Sequence, residues 1–486
     1  IFIRMPAGVA KAIKSPRWNW HYWTTPQVHM NNRRLTTPRG KTLGGSSAIN
    51  ALVYIRGNAW DFDNWAALGC DGWGYQDVLP YFCEVEGNAH GNGAFHGGDG
   101  PLKVSHPESG NPAYQAFINA GVELGHRFNS DLNGAEQEGF GLFQLNINDG
   151  RRWSSADAFL KPALDRKNLS VKTNAHVVGL ATEGARVTGV RLADETLHAA
   201  HVVLSAGSIG SPQTLMLSGI GPADHLKSLG ITPIVDLPQL GENLQDHLEV
   251  KVKHRMTQPY SMWSHAKFPN YLWTGLNYLL RKEGAGRQQG LEAGAFCTLD
   301  PQAPAPDTQL HFVNALAFDG ATPDDRGHGY AIDVTQTRPE SRGTLRLASA
   351  NPKDAPLIDP NYLAEEKDRT QLRAGMKLLR DLCRQPSLAD ISEPEMLPGP
   401  DVQTDTDLDA YIRNTAESIY HPVGTARMGR DDDAPVDSAT MAVRGVDNLY
   451  LADASVMPQL VSGNTNATSI MIGTKGADLI QAALEA

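Results

Sequence analysis

Residues 40–57 read GKTLGGSSAINALVYIRG, and this stretch decides the fold class. The paired glycines Gly44 and Gly45 carry no side chain, so a ligand is able to approach the backbone closely there. Ser46 and Ser47 open a helical run, where backbone N–H groups and hydroxyls are available to phosphate oxygens. A glycine turn with a serine N-cap accounts for most short strings of this kind. The surrounding sequence must therefore distinguish a ligand loop from a simple turn.

Apolar strands that run into glycine or aspartate and then into helices recur along the chain. Residues 201–204 (HVVL) form a β-branched run, and a helical pattern opens at residues 211–217. Residues 448–451 lead into Asp453, and residues 468–484 place apolar side chains at helical spacing. This alternation predicts a nucleotide-binding α/β domain assembled from separated pieces of chain.

The residue pattern changes in the middle of the sequence, where aromatic and polar residues are interspersed between about residues 250 and 415. Two strand-like runs at residues 328–335 and 343–347 fit an antiparallel sheet. We therefore predict a mixed α/β plus α+β fold, in which an antiparallel-sheet substrate-binding domain is inserted into a Rossmann-like domain. The predicted boundaries are 1–105, 165–249 and 425–486 for the Rossmann-like domain, and 106–164 and 250–424 for the inserted domain.

The composition limits the kinds of partner. The formal net charge of −11 disfavours a nucleic-acid surface, because a polyanion would be repelled. The four cysteines form no CxxC pair and no His/Cys spacing for zinc, which predicts neither a disulfide framework nor a metal site. No stretch reaches the roughly 18 consecutive apolar residues of a membrane-spanning helix. These features predict a small-molecule partner and a cytoplasmic location, with peripheral contact with the inner membrane left open.

The full string 40–57 resembles the first signature of the glucose–methanol–choline (GMC) oxidoreductase family. Residues 207–221 (GSIGSPQTLMLSGIG) resemble the second signature, and the likeness includes 241–247 (GENLQDH) and 341–343 (SRG). The resemblance runs from about residue 3 to residue 484, so it covers nearly the whole chain. It implies a flavoprotein that uses FAD and is similar to the choline dehydrogenase and alcohol dehydrogenase branch.

The resemblance also implies the cofactor contacts. Thr42 and the stretch Asn50 to Val53 match residues that line the flavin, Val177 matches an adenine contact, and Asp453 with Ala454 matches a position beside the ribityl chain and pyrophosphate. A carboxylate at a strand end accepts hydrogen bonds from sugar hydroxyls, although an N-cap role for Asp453 is equally consistent with its sequence. The complete expected set is Thr42, Gly44, Gly45, Ser46, Asn50, Ala51, Leu52, Val53, Val177, Ala206, Gly207, Asp453, Ala454 and Asn466.

Ile49 stands where some members of the family carry a histidine joined covalently to the flavin. The resemblance therefore implies FAD that is bound without a covalent link. The family also begins with a GxGxxG unit that is absent from this sequence. We accordingly expect that the chain is truncated at its N-terminus and that its Rossmann-like domain is incomplete.

The catalytic candidate is His421, in the string YHPVGTARMG at residues 420–429. Alcohol oxidation needs a base for the hydroxyl proton, and a neutral imidazole with a pKa of about 6.5 suits that task. One histidine among 16 is more often structural, but this string resembles the family's catalytic histidine loop. Asn464 matches the position where the family carries histidine or asparagine, and an amide there would stabilise a developing alkoxide.

Glu292 is a weaker candidate. It would suit a cationic group on the substrate, but a solvent-facing or salt-bridged glutamate is the expected environment.

The predicted activity is FAD-dependent oxidation of a primary alcohol, aliphatic or choline-like, to the aldehyde. Hydride would pass to flavin N5, and the reduced flavin would pass electrons to a quinone or another acceptor. Two alternatives stay open, a flavin-containing hydroxynitrile lyase type of enzyme and an inactive fragment. The oligomeric state is left open by the sequence.

Overall fold

A computed structural model describes residues 2–316 and 326–485 of the chain. Helices and short strands alternate over most of this length. The α-helices of four or more residues are Val9–Lys14, Ala59–Ala67, Tyr75–Val85, Pro112–Glu123, Gly207–Leu217, Ala223–Ser228, Trp263–Ala266, Asn270–Arg281, Glu366–Cys383, Pro386–Ala389, Asp405–Thr415 and Thr465–Glu485.

Two of the predicted strands pair in parallel. Val202–Leu204 lies beside Leu449–Leu451, although more than two hundred residues separate them along the chain. The first strand leads into the helix Gly207–Leu217, and the second leads through the short turn Ala454–Val456 toward the long helix Thr465–Glu485. Both strands therefore end at the same edge, as expected for a nucleotide-binding α/β unit. The α/β part of the fold prediction is confirmed.

The inserted antiparallel sheet is also present. Seven strands build it, with one short strand, Glu417–Ser418, pairing beside the main path. The other six lie in the spatial order Ser392–Leu397, Leu248–Met256, Gly329–Gln336, Thr308–Val313, Ala293–Cys297 and Gly139–Leu142. The helices Pro112–Glu123 and Glu366–Cys383 cover one face of this sheet.

Alternation along Leu248–Met256 gives the sheet two different faces. Leu248, Val250 and Val252 are buried in the apolar core under the helices. Glu249 and Lys251 point the opposite way, because successive side chains of a strand alternate between faces. The second face of the sheet is consequently polar and charged.

The run at residues 343–347 departs from the prediction. Its strand, Thr344–Arg346, pairs antiparallel with Leu357–Asp359 outside the large sheet. Leu345 and Leu347 belong to the apolar cluster that contains the parallel strands. The hairpin therefore packs on the α/β core, because these two side chains are buried there. The remaining short ladders are Tyr22–Trp23 with Thr36–Thr37, Gly179–Glu183 with Arg186–Arg191 and Thr196–His198, Ile220–Gly221 with Val235–Asp236, Met428–Gly429 with Val436–Asp437, Val53–Tyr54 with Gln144–Leu145, Glu86–Asn88 with Leu102–Val104, and Ile147–Asn148 with Arg151–Arg152.

The buried apolar side chains form two large clusters, one around the parallel strands and one under the seven-stranded sheet. The residue boundaries of the two domains stay a prediction. Cys70, Cys83, Cys297 and Cys383 are free thiols. Within the described residues, none of the helices has the length and apolar character needed to cross a bilayer.

Candidate active site

A single cavity of about 1970 Å³ lies between the α/β core and the polar face of the sheet. Its volume is roughly twice the upper end of the range of about 300–1,000 Å³ that suits a drug-sized ligand. One side, the loop wall, consists of residues 42–53, 205–210 and 452–454. The opposite side, the sheet wall, consists of Glu249, Lys251, His311, Asp333, His421 and Asn464.

Every residue that the sequence singled out as a cofactor contact or catalytic group lines this cavity. The set comes from separate parts of the chain, and the fold brings it together. It comprises Thr42, Gly44, Gly45, Ser46, Asn50, Ala51, Leu52, Val53, Val177, Ala206, Gly207, His421, Asp453, Ala454, Asn464 and Asn466.

The first signature forms a strained loop at the cavity. Gly44 and Gly45 have φ of +87° and +54°, and a Cβ at Gly45 would meet nothing within 4 Å. Leu52 also has a positive φ, +71°, which costs a non-glycine residue about 1–3 kcal/mol. Buried Arg152 holds the loop by donating to Asn50 Oδ1 at 2.7 Å and to Ser47 O at 3.1 Å.

Asp453 links the ends of the two parallel strands. Its Oδ2 accepts from the backbone N–H of Gly207 at 2.8 Å and from the hydroxyl of Ser211 at 2.5 Å. Its Oδ1 accepts from the backbone N–H and hydroxyl of Ser455, at 2.8 and 2.6 Å. The N-cap interaction considered from the sequence is therefore present. Contact of Asp453 with a sugar hydroxyl remains a prediction.

Aromatic side chains surround the far end of the cavity near Val177. Trp20 stacks on Tyr22 with ring centroids 6.2 Å apart and lies 5.6 Å from His176. The ammonium of Lys41 is 4.4 Å from the centroid of Trp20. These groups all line the cavity, and flat rings beside a cation suit the adenine end expected at Val177.

Buried Asp246 fixes the loop that carries His421. Its Oδ1 accepts from the backbone N–H of His421 at 2.7 Å, and its Oδ2 accepts from the hydroxyls of Tyr362 and Ser418, both at 2.5 Å. The guanidinium of Arg39 donates to the carbonyl of Tyr420, which has a positive φ of +70°. The loop is thus held from several directions.

A chain of two hydrogen bonds defines the proton positions on His421. Because a carbonyl oxygen only accepts, His247 donates from Nε2 to Thr337 O at 3.0 Å, which leaves its Nδ1 as an acceptor. His421 Nδ1 lies 3.0 Å from that atom and must therefore be the donor. Neutral His421 then carries its lone pair on Nε2, which is the form that a general base requires.

The electrostatics of the site keep these histidines neutral. Burial, followed by the neighbouring histidines and Arg39, lowers the pKa of His421 well below its usual 6.5. Burial lowers the pKa of His247 to about 4 and that of His311 to about 3. An unprotonated Nε2 on His421 is accordingly the resting state at neutral pH.

Asn464 lies on the Nε2 side of His421. Its Nδ2 donates to His421 Nε2 at 3.4 Å, while its Oδ1 accepts from Gln309 Nε2 at 3.3 Å. Gln309 thereby fixes which end of the Asn464 amide faces the histidine. The resulting pair, one acceptor and one N–H donor, is able to hold both the proton and the oxygen of a hydroxyl group.

A charged cluster occupies the sheet wall, where Glu249, Asp333 and Glu417 surround Lys251. Their carboxylates lie 3.4, 3.9 and 3.3 Å from its ammonium nitrogen. Burial, reinforced by the charge of Asp333, raises the pKa of Glu249 well above its usual value. Three carboxyl groups thus lie within 4 Å of one ammonium nitrogen at the edge of the cavity.

The sequence did not reveal these supporting residues. His247 lies inside the quoted string 241–247, but no role was predicted for it. The expectation for Glu292 is wrong. Its side chain is 2% exposed, accepts from the hydroxyl of Ser109, and has a pKa raised by burial to about 6. It lines a separate, smaller cleft, whereas Glu249 and Glu417 line the large cavity.

The cavity fits a flavin dinucleotide. The glycine backbone at Gly45 and Gly207 borders open space, and the helix Gly207–Leu217 directs its N-terminus toward the cavity, where a phosphate is stabilised. Buried polar atoms without a hydrogen-bond partner in the described structure include Arg152 Nη2 and Gln309 Oε1, and these two side chains support the lining residues Asn50 and Asn464 from behind. A histidine acceptor and an amide N–H donor also line this cavity, and together these are the features that a flavin-dependent oxidoreductase needs.

Comparison with known proteins agrees with this class. Models of the GMC oxidoreductase family match residues 7–249 and 339–473. The chain is 42% identical to mitochondrial choline dehydrogenase of Mus musculus, over 99% of this chain and 81% of that protein. It is 41% identical to an alcohol dehydrogenase [acceptor] of Pseudomonas putida, over 98% and 88%. The crystal structure of pyridoxine 4-oxidase from Mesorbium loti superposes with a TM-score of 0.88 at 32% identity, covering 99% and 91%.

The chain therefore belongs to the GMC oxidoreductase family. It is an FAD-dependent enzyme that acts on CH–OH groups.

Proposed function

We propose that this enzyme oxidises a primary alcohol to the aldehyde, with a choline-like alcohol as the preferred substrate class. The observation that carries the proposal is the acceptor Nε2 of His421, with Asn464 Nδ2 at 3.4 Å. When bound, FAD supplies the hydride acceptor at N5. The glycine loop with Thr42, Asn50 and Leu52 would hold the isoalloxazine, and Val177 would hold the adenine.

Side chains of the protein accept the proton of the substrate hydroxyl group. A substrate hydroxyl that enters between His421 and Asn464 donates its proton to Nε2, and the positive charge that forms on the ring is shared through Nδ1–H with His247. Asn464 donates to the oxygen as negative charge develops there. Gln309 and Asp246 hold the two groups in place, so little reorganisation accompanies the transfer.

The charged cluster supports the choline-like part of the proposal. Glu249, Asp333 and Glu417 all line the cavity, and an ammonium group on the substrate would favour the carboxylate form of Glu249, whose pKa is raised by burial and by Asp333. We infer further that FAD is bound without a covalent link, because Ile49 offers no nucleophile. The electrons would leave to a quinone or another acceptor.

Anaerobic titration of the flavin spectrum tests the reaction. Bleaching of the oxidised flavin by choline or by an aliphatic primary alcohol is expected. A flavin that stays oxidised with every alcohol, together with release of cyanide from a hydroxynitrile, would overturn the proposal in favour of a lyase. Acid precipitation of the holoenzyme should release all yellow colour into the supernatant, whereas colour retained in the pellet would show a covalent flavin.

The variant Glu249→Gln tests the substrate class. We expect a higher KM for choline but an unchanged KM for its neutral isostere, in which a tert-butyl group replaces the trimethylammonium group. Glu292→Gln is the matched control, because Glu292 lies outside the cavity, and it should leave both values unchanged. Equal KM changes for charged and neutral alcohols would contradict a cationic substrate.

A further inference from the structure

The helix Asn270–Arg281 turns its apolar side chains outward. Phe268, which precedes it, and Leu272, Trp273, Leu276, Leu279 and Leu280 are all exposed, with Trp273 at 68% and Leu280 at 74%. At about 100° per residue the five helical members occupy one stripe, some 120° wide. We call these six residues the apolar face. A surface helix of a globular protein normally buries such a stripe against the core. In this helix the apolar stripe faces solvent instead.

The polar side of the helix is the side that faces the protein. Tyr278 is the one residue of the helix that is buried, and its hydroxyl donates to Arg4 O at 3.0 Å. Asn277 Nδ2 donates to Glu283 O at 3.3 Å. The helix is thus anchored through polar contacts, and its outward direction is fixed by them.

Basic residues border the apolar face. Lys267 and Arg281 are exposed at the two ends of the segment, and Lys11 and Lys14 are exposed on the neighbouring helix Val9–Lys14. The ammonium of Lys11 lies 5.8 Å from the ring centroid of Tyr271. Glu283 is the single acid among residues 262–287, which hold four Lys and Arg residues, whereas the whole chain has a net charge of −11. The local charge is therefore opposite to that of the molecule.

We infer that this helix docks the enzyme on an anionic lipid surface, lying in the plane of the headgroups. An apolar stripe rich in leucine and tryptophan, bordered by lysine and arginine, has the character of an interfacial helix. The basic border matches the negative potential of anionic lipids. This surface is independent of the proposed reaction, because none of its residues lines the active-site cavity.

The segment that carries the helix is attached beside the cavity at both of its ends. Leu291 and Val313 line the cavity, and the segment that contains the helix begins and ends next to them. The backbone N–H of Asn314 donates to Gly290 O at 2.8 Å, and that of Met262 donates to Asn314 O at 3.0 Å. The docking helix and the cavity wall therefore belong to one continuous piece of structure.

Co-sedimentation of the FAD-loaded, full-length enzyme with vesicles tests this inference. We expect binding to vesicles that contain phosphatidylglycerol and weaker binding to pure phosphatidylcholine vesicles. The double variant Trp273→Gln/Leu280→Gln should lower the partition coefficient at least about tenfold, because two large apolar side chains no longer enter the interface. Its activity with a soluble dye acceptor should match that of the wild-type enzyme.

The control variant Val28→Gln/Leu68→Gln removes two apolar side chains that are equally exposed elsewhere, at 73% and 53%. It should bind vesicles like the wild type. Lys267→Glu/Arg281→Glu should weaken binding to anionic vesicles only. Absence of wild-type binding, or equal loss in the control and the Trp273 variant, would overturn the inference. A wild-type dimer that the Trp273 variant dissociates, without vesicle binding, would overturn it in favour of a second copy of the chain.

Discussion

The loop wall and the sheet wall of the cavity are built by different means. The loop wall is made of contiguous pieces of chain, and its glycine-rich backbone borders the open space. The sheet wall is made of side chains that come from distant positions and are fixed by hydrogen bonds to one another. We therefore expect changes in the loop wall to alter the affinity for FAD. Changes in the sheet wall should instead alter the rate of flavin reduction.

His421→Ala is the strongest test of that division. Loss of the acceptor Nε2 should slow anaerobic flavin reduction about 10²–10⁴-fold, the usual contribution of a general base. The oxidised flavin spectrum should stay normal, because His421 belongs to the sheet wall. Rapid mixing with substrate measures the rate. His198→Ala, at an exposed strand position, is the control, and a His421 variant that reduces its flavin at the wild-type rate would remove the base from the mechanism.

His247→Ala should have the next largest effect, although His247 does not line the cavity. It removes the acceptor of His421 Nδ1–H, so the ring is free to turn or to move its proton to Nε2. A buried donor left without its partner costs about 1–3 kcal/mol, and the same free energy added to the barrier would slow reduction about 5- to 150-fold.

Partial recovery in His247→Gln, whose amide oxygen also accepts, would distinguish control of the tautomer from a general structural defect. The pH profile gives a second readout, because the apparent pKa of reduction should shift in the alanine variant. An unchanged profile with equal losses in both variants would reject the positioning role.

Gly45→Ala tests the loop wall. Its methyl group enters the cavity from a left-handed residue, so both backbone strain and lost space should weaken FAD binding. Gly110→Ala is a close control, because Gly110 has φ of +56° against +54° for Gly45 and also has nothing within 4 Å of its added Cβ.

Each substitution should cost about 1–2 kcal/mol of folding free energy, measured by denaturant unfolding. Only Gly45→Ala should raise the Kd for FAD, measured by flavin fluorescence, and flavin that does bind should be reduced at the wild-type rate. Equal FAD affinity in the two variants would show that the loop wall does not define the cofactor site.

The contrast between the walls also explains what could be predicted from the sequence. Residues 40–57 contain most of the flavin loop in one string, so a pattern of glycines and serines carries the information directly. His247, Gln309 and Asn464 meet at His421 only because strand register and loop anchoring align them. No local sequence pattern predicts which distant residues the fold places next to each other.

The two glutamates illustrate the same limit. Glu249 and Glu292 have the same chemistry, and sequence reasoning singled out Glu292. Alternation along Leu248–Met256 directs Glu249 into the cavity, whereas Glu292 precedes the strand Ala293–Cys297 and turns to Ser109 in the smaller cleft. The hairpin at Thr344–Arg346 was likewise recognisable as a strand, but its partner was fixed by burial of Leu345.

Acid should lower the folding stability of the protein through the histidines at and behind the sheet wall. The pKa values of His247, His311 and His421 are all lowered in the folded protein. Below about pH 6.5 the unfolded chain therefore binds more protons than the folded protein does. Their contribution to stability is complete above that pH and is lost as the pH falls, by up to about 1.4 kcal/mol per histidine and pH unit. Denaturant unfolding between about pH 7.5 and about pH 5.5 measures the slope. His311→Gln removes one of the three groups and should reduce that slope by about one proton, whereas a slope equal to that of the wild-type enzyme would show that His311 is not held neutral by burial.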